Sequence, residues 1–396
     1  MTHEFERCTA GFPQELKLML SMLNGDFRKL SSEEGRERLQ GVDWNLFLQL
    51  AMHHRLYAVL YLNITAMHDV PFPPAVVESL KQEYTANTFR MLHLTAEMER
   101  VCGRLTQAGI RNITMKGPAL AHDLYGDVSL RTSKDLDLLI PFDDVEQAEA
   151  VLLDLGYICK DDKGRRSVSS WKWREHHICY KHPVRKTQVE IHWRLNPDTG
   201  REAGFETLWQ RSRISAYTST PVRMLEREDL FAYLVTHGAR HGWFRLRWLY
   251  DIDRMLRTMP LDLDAASRRM KLEGRLPIAG QALILSAALF NTPLQRCQGE
   301  LQSSMEGKGE RLARQALLFM QGMLAAPDDL KIYRSYLFAL RSPGQKLLFF
   351  KERLYPSTWD VAQLPLPKSL HFLYFPLRPF LWCWRRMKRS TMTERG

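Results

Sequence analysis

RTSKDLDLLI, residues 131–140, places Asp135 and Asp137 with a single leucine between them in an otherwise apolar run. Read as a strand, the run alternates its side chains between two faces. Asp135, Asp137 and Leu139 then share one face, while Leu136, Leu138 and Ile140 point the other way into a core. Carboxylates that close repel, and each raises the other's pKa unless a cation sits between them. The pair therefore raises the question of whether the chain supplies the rest of a metal site.

The chain has 396 residues, enough for a large core and for two or three domains. Its 45% hydrophobic and 26% charged residues are those of an ordinary folded protein. With 56 basic and 45 acidic side chains the net charge is +11, which favours anionic partners: nucleotides, nucleic acid or lipid head groups. The six cysteines form no CxxC pair, which argues against a zinc ribbon or a disulfide framework and fits a reducing cytoplasm. The start, MTHEFERCTAGFPQ, is polar where a signal peptide is basic and then apolar. No uninterrupted apolar run reaches the roughly 18 residues of a membrane span. The expected location is cytoplasmic.

Periodicity divides the chain into three regions: helical over 1–110, mixed α/β over 111–220, and helical again over 221–396. VDWNLFLQLAMHHRLYAVLYLNI carries apolar residues at helical spacing, with Asp43 as N-cap. FPP at 72–74 breaks the chain, and Pro74 suits the first turn of a long helix running to about Gly109. The pattern then changes. NITM reads as a strand, GPALAHDLY as a helix, DLDLLI as a strand, and DDVEQAEAVLLDLGY as a helix capped by Asp143. Strands follow near YICK, HHICYK and TQVEIHWRL. EREDLFAYLVTHGARHGWFRLRWLYDIDRML forms two helices broken near Gly242. The expected fold is α+β: a small mixed sheet with helices, embedded between helical regions.

A phosphoryl-transfer site needs carboxylates that converge on divalent cations bridging the substrate's phosphates. Mg²⁺ prefers oxygen ligands and keeps several waters, so two or three carboxylates suffice. Glu190 in TQVEIHWRL is the best third, on one strand face with His192, while Val189 and Ile191 turn to the core. Glu175 is the alternative. Gly117 lets backbone approach a phosphate, and Pro118 suits the first turn of a helix whose free N–H groups face an anion. Lys116, Arg131, Ser133 and Lys134 are placed to contact nucleotide phosphates. The chemistry so read is attack of an acceptor hydroxyl on the α-phosphorus of an NTP, with Mg²⁺ or Mn²⁺ as cofactor.

A glycine turn, a strand with Asp-x-Asp and a later strand carboxylate together resemble the polymerase-beta-like nucleotidyltransferases. More narrowly, MKGPALAHDLYGDVSLRTSKDLDLLI, VEIHWRL and HGARHGWFRLRWLYDI are similar to a bacterial family of uncharacterised nucleotidyltransferases, over roughly residues 40–260. The resemblance implies a fold and a reaction class, with Asp135, Asp137 and Glu190 as metal ligands, and leaves the acceptor open. Gly117-Pro118 departs from the superfamily's Gly-Gly or Gly-Ser, and the gap from Gly117 to Asp135 is long.

Other readings stay in view. A catalytically degenerate fold that binds nucleic acid or a protein would keep the architecture without the chemistry, although no dense Lys/Arg stripe with aromatics supports nucleic acid. His237 and His241, four apart on a helix, have zinc-compatible spacing but sit among packing residues such as Trp248. Glu175, His176, His177 and His182 read as strand and loop polars near substrate. The segment SLHFLYFPLRPFLWCWRRMKR reads as a terminal helix packed on the body, with contact to an anionic membrane surface as the alternative.

Overall fold

The computed structural model describes residues 10–26, 32–160, 172, 175–197, 201–320, 330–354, 360 and 364–393. Its architecture is α+β, a mixed seven-stranded sheet set among helices. The strands are β1 (Ile113–Thr114), β2 (Leu136–Leu139), β3 (Ile158–Cys159), β4 (His177–Lys181), β5 (Gln188–His192), β6 (Arg213–Ile214) and β7 (Arg223–Met224). In space they run β3-β4-β5-β2-β1-β7-β6. β1 to β5 fall where the apolar alternation predicts strands. The sequence pattern marks no strand at β6 or β7, and β7 lies just past residue 220.

β2 occupies the middle, parallel to β5 and antiparallel to β1. All four of its residues are buried, Leu139 on the aspartate face included. The aspartate face is therefore covered, and an edge strand with solvated carboxylates is ruled out.

Asp43 caps the Trp44–His54 helix, its Oδ1 accepting from the N–H groups of Asn45 at 2.9 Å and Leu46 at 3.1 Å. The helical pattern expected to continue breaks at Arg55, which takes the left-handed conformation (φ 56°) that closes one helix before Tyr57–Ala66 begins. The long helix starts at Pro74 as expected and ends at Gln107. Asp143 is not a cap. A 3-10 turn, Phe142–Asp144, intervenes, and the helix begins at Val145 with Asp144 at the cap position and no side-chain bond.

The loop from Gly126 to Lys134, which leads into β2, is held from both flanking helical regions. Asn87 donates to the Ser129 carbonyl at 2.7 Å, and the Thr132 hydroxyl bonds Tyr57 Oη at 2.9 Å. From the other side Arg247 donates to the Thr132 carbonyl at 2.6 Å. Arg131, 1% exposed, is clamped on Asp251 by Nε and Nη2 at 3.0–3.1 Å, and Tyr125 donates to the same carboxylate at 2.8 Å.

Near the C-terminus, the Tyr374–Thr393 helix buries Tyr374 and Leu381 and exposes Phe375, Phe380 and Trp384. The side chains of Arg385, Arg386, Lys388 and Arg389 lie outside the described residues. Among the described residues no helix is long and apolar enough to cross a membrane.

Two stability outcomes follow from buried charge. Asp251→Ala strands the Arg131 guanidinium in the interior and should cost about 3–5 kcal/mol in denaturant unfolding; a loss under about 1 kcal/mol contradicts the clamp. Glu273 stands 3.6 Å from Arg275, and burial outweighs that neighbour, raising its carboxyl to about 7 from 4.5. The folded state holds this proton longer than the unfolded chain, so the associated stability is complete below 4.5 and lost as pH rises through about 7. Glu273→Gln should flatten the pH dependence of the melting temperature across that window. An unchanged slope would rule the group out.

Candidate active site

The site is set by register. Asp137 pairs with Glu190 and Leu139 with His192 across β2 and β5, while His177 pairs with His192 across β4 and β5. Paired residues share a face, and so do residues two apart along a strand. Asp137, Glu190, His192 and His177 thus stand on one face of three adjacent strands. Asp135, just before β2, joins them in a cleft of about 390 Å³ that Lys116, His176, Tyr233, His237 and Arg247 also line.

Lys116 arrives from the turn after β1. Gly117 has φ +103°, a conformation that L side chains rarely adopt, and Pro118 then opens the Pro118–Tyr125 helix. This turn sets Lys116 Nζ 3.2 Å from Asp137 Oδ2. His192 Nε2 lies 3.2 Å from Asp137 Oδ1 and 3.4 Å from Glu190 Oε2. Glu190 Oε1 accepts from Gln188 at 2.9 Å, and His177 Nε2 is 3.7 Å from Oε2.

These contacts divide the two aspartates. Burial raises the Asp137 carboxyl, but Lys116 and His192 outweigh it and hold the group ionised, below the usual carboxylate range. Asp135 goes the other way: burial and the Asp137 charge push its carboxyl up, against Lys116. For Glu190, burial is outweighed by His192 and its pKa falls. Lys116 and His192 are both raised, as the carboxylates overcome the burial that would discharge them.

A set of cations faces the carboxylates. Arg55, Lys134, Arg240, Arg245 and Arg247 line the same cleft. Arg55 first, then burial and Arg245, pull the Lys134 ammonium down. Burial with Arg245 takes Arg55 to about 10, and burial with Arg131 takes Arg247 to about 9. Cations that depress one another are strained until an anion enters.

Of the residues expected at the site, Asp135, Asp137, Glu190, Lys116, Ser133 and Lys134 come together in the cleft. Gly117 shapes the turn behind it. Arg131 does not line the cleft: Asp251 holds it in the interior, so its position before Asp-x-Asp serves packing. Glu175 is not among the lining residues; its carbonyl accepts from Arg194. His237 and His241 line the rear, where His241 stacks on Trp248 at 4.8 Å and burial lowers its pKa to about 3. Arg55, His176, His177, Tyr233, Arg245 and Arg247 were not foreseen as one group. Only the unusual density of His in EHHICYKH hinted at it.

The donor set fits a divalent cation. Asp137, Glu190 and His192 each offer a ligand atom within 4.8 Å of the others. Asp137 Oδ2 and both His192 ring nitrogens are buried without an aligned hydrogen bond among the described residues. A divalent cation held there would satisfy that capacity.

Residues 40–291, well over half of the chain, match a family described as uncharacterised nucleotidyltransferases. The chain belongs to this family. The matched span contains every cleft-lining residue named above, and nucleotidyl transfer is the activity class its description gives. No curated protein and no solved structure matches the chain.

Lys116→Met removes the ammonium nearest Asp137 and should lower metal-free stability by about 3 kcal/mol. Mn²⁺ should then stabilise the variant more than it stabilises the wild type. Equal Mn²⁺ effects on both would show that Lys116 and the metal do not serve the same carboxylate.

Proposed function

We propose that the chain is a metal-dependent nucleotidyltransferase that moves an NMP from an NTP to a hydroxyl of an acceptor still to be identified. The observation that carries this reading is that buried carboxylates and mutually repelling cations line one cleft. Asp135, Asp137 and Glu190 share the lining with Arg55, Lys134 and Arg245, and Arg55 and Arg245 depress Lys134. Such a cleft suits a substrate that brings both an anionic tail and a site for divalent cations, as a nucleoside triphosphate does.

Asp135, Asp137 and Glu190 would hold Mg²⁺ or Mn²⁺, which supplies Lewis-acid charge at the phosphates and the acceptor hydroxyl. Lys134, Arg55 and Arg245 neutralise the β- and γ-phosphates, relieving their own repulsion as they do so. Lys116 turns toward the α-phosphate when its carboxylate partner is otherwise engaged. The acceptor oxygen attacks the α-phosphorus, the bond to the bridging oxygen breaks, and pyrophosphate leaves with the electron pair. Glu190, half-buried with Gln188 on Oε1 and His192 3.4 Å from Oε2, takes the acceptor's proton. The polymerase-beta-like superfamily supplies the precedent for this division of labour.

Asp135→Ala with Asp137→Ala should abolish transfer of label from α-labelled NTP to components of a cell lysate, by at least about 100-fold, with the fold retained by circular dichroism. Undiminished transfer by the double variant would end the proposal. If the wild type transfers nothing yet binds polynucleotide in a salt-dependent way that the double variant shares, the degenerate binding module is the better account.

A further inference from the structure

The three histidines beside Glu190 form a group that a site for hard cations does not require. His176, His177 and His192 each bring a ring nitrogen within 4.8 Å of the others. His177 and His192 are cross-strand partners whose rings stack at 4.9 Å and 18°. His177 Nδ1 lies 3.2 Å from His176 Nε2, and the His176 ring packs 5.5 Å from that of His192. His192, 4% exposed, has no aligned hydrogen bond at either nitrogen among the described residues. Glu190 Oε2 adjoins two of the three, at 3.4 Å from His192 and 3.7 Å from His177.

Three imidazole nitrogens this close to one another can be drawn onto a single dication. Mg²⁺ takes oxygen and dehydrates reluctantly, so it gains little from nitrogen donors. First-row dications such as Zn²⁺ favour imidazole, and three histidines, or two histidines with a glutamate, are established donor sets for Zn²⁺. The sheet register supplies rigidity, since β4 and β5 pair His177 with His192 and hold Glu190, and His176 lies just before β4.

We infer that His176, His177 and His192, with Glu190, form a binding site for a transition-metal dication of the Zn²⁺ class, distinct in preference from the Mg²⁺ or Mn²⁺ position at Asp135 and Asp137. The inference shares Glu190 with the transfer site proposed above, but its test does not require turnover. The full chain, stripped with chelator, is titrated with Zn²⁺ by calorimetry in excess Mg²⁺, and with Co²⁺ by its visible spectrum. One Zn²⁺ should bind despite the Mg²⁺, and Co²⁺ should give the intense bands of a low-coordinate nitrogen site. His176→Ala and His177→Ala should each weaken Zn²⁺ by more than about 100-fold, beyond the roughly 10–100-fold cost of losing an outer-shell partner. Their metal-free melting temperatures report folding separately. Asp135→Asn should leave Zn²⁺ affinity within about threefold while removing nucleotidyl transfer.

Displacement of Zn²⁺ by Mg²⁺ at comparable concentration overturns the inference. So does Zn²⁺ affinity that either histidine variant leaves unchanged in a folded protein. Transfer in Mg²⁺ without Zn²⁺ binding would sink this site and leave the transferase reading standing. Zn²⁺ binding without transfer would do the reverse.

Discussion

Three carboxylates on one sheet face repel, and in a buried cleft they repel strongly. Asp137 and Glu190 are neighbours because β2 and β5 run parallel in one register, and Asp135 precedes Asp137 by a single residue. The chain tolerates them because Lys116 and His192 sit within 3.2 Å of Asp137. Those same two groups make the cluster responsive, since an arriving dication competes with an ammonium for the same oxygens. Much else in the α/β region maintains this arrangement, from the positive φ of Gly117 to the tethered loop before Asp135.

That loop explains why helices before and after the sheet belong to the site. Residues 126–134 are pinned by Tyr57 and Asn87 from the N-terminal side, and by Arg247 and Asp251 from the C-terminal side. The pinning helices also bring Arg55, Arg245 and Arg247 to the cleft. Structural anchors and cleft-lining cations are therefore adjacent. Arg247 is both, lining the cleft while donating to the Thr132 carbonyl.

Period-2 alternation made β2 and β5 readable, and with them the orientation of Asp135, Asp137, Glu190 and His192, because each run has one clean apolar face. The N-cap at Asp43 and the helix start at Pro74 were readable for local reasons too. What escaped was non-local. Arg131 looks like a phosphate ligand from its place before Asp-x-Asp, and only a partner 120 residues away shows that it is sealed inside. No local pattern reveals that Asp137 faces Glu190, or that His177 faces His192. The break at Arg55 hides in a good helical pattern, since a left-handed non-glycine residue has no strong sequence mark. Asp143 failed as a cap because a neighbouring aspartate of equal propensity took the position after a 3-10 turn.

We propose that Asp135, Asp137 and Glu190 form a cation site that Lys116 balances in the cation's absence. Anomalous diffraction from crystals of the chain with Mn²⁺ and a non-hydrolysable NTP analogue tests it most directly. An anomalous peak bounded by those three carboxylates is expected, with Lys116 turned from Asp137 toward the triphosphate. A triphosphate bound elsewhere, or a Lys116–Asp137 pair intact with no peak beside it, would contradict the account.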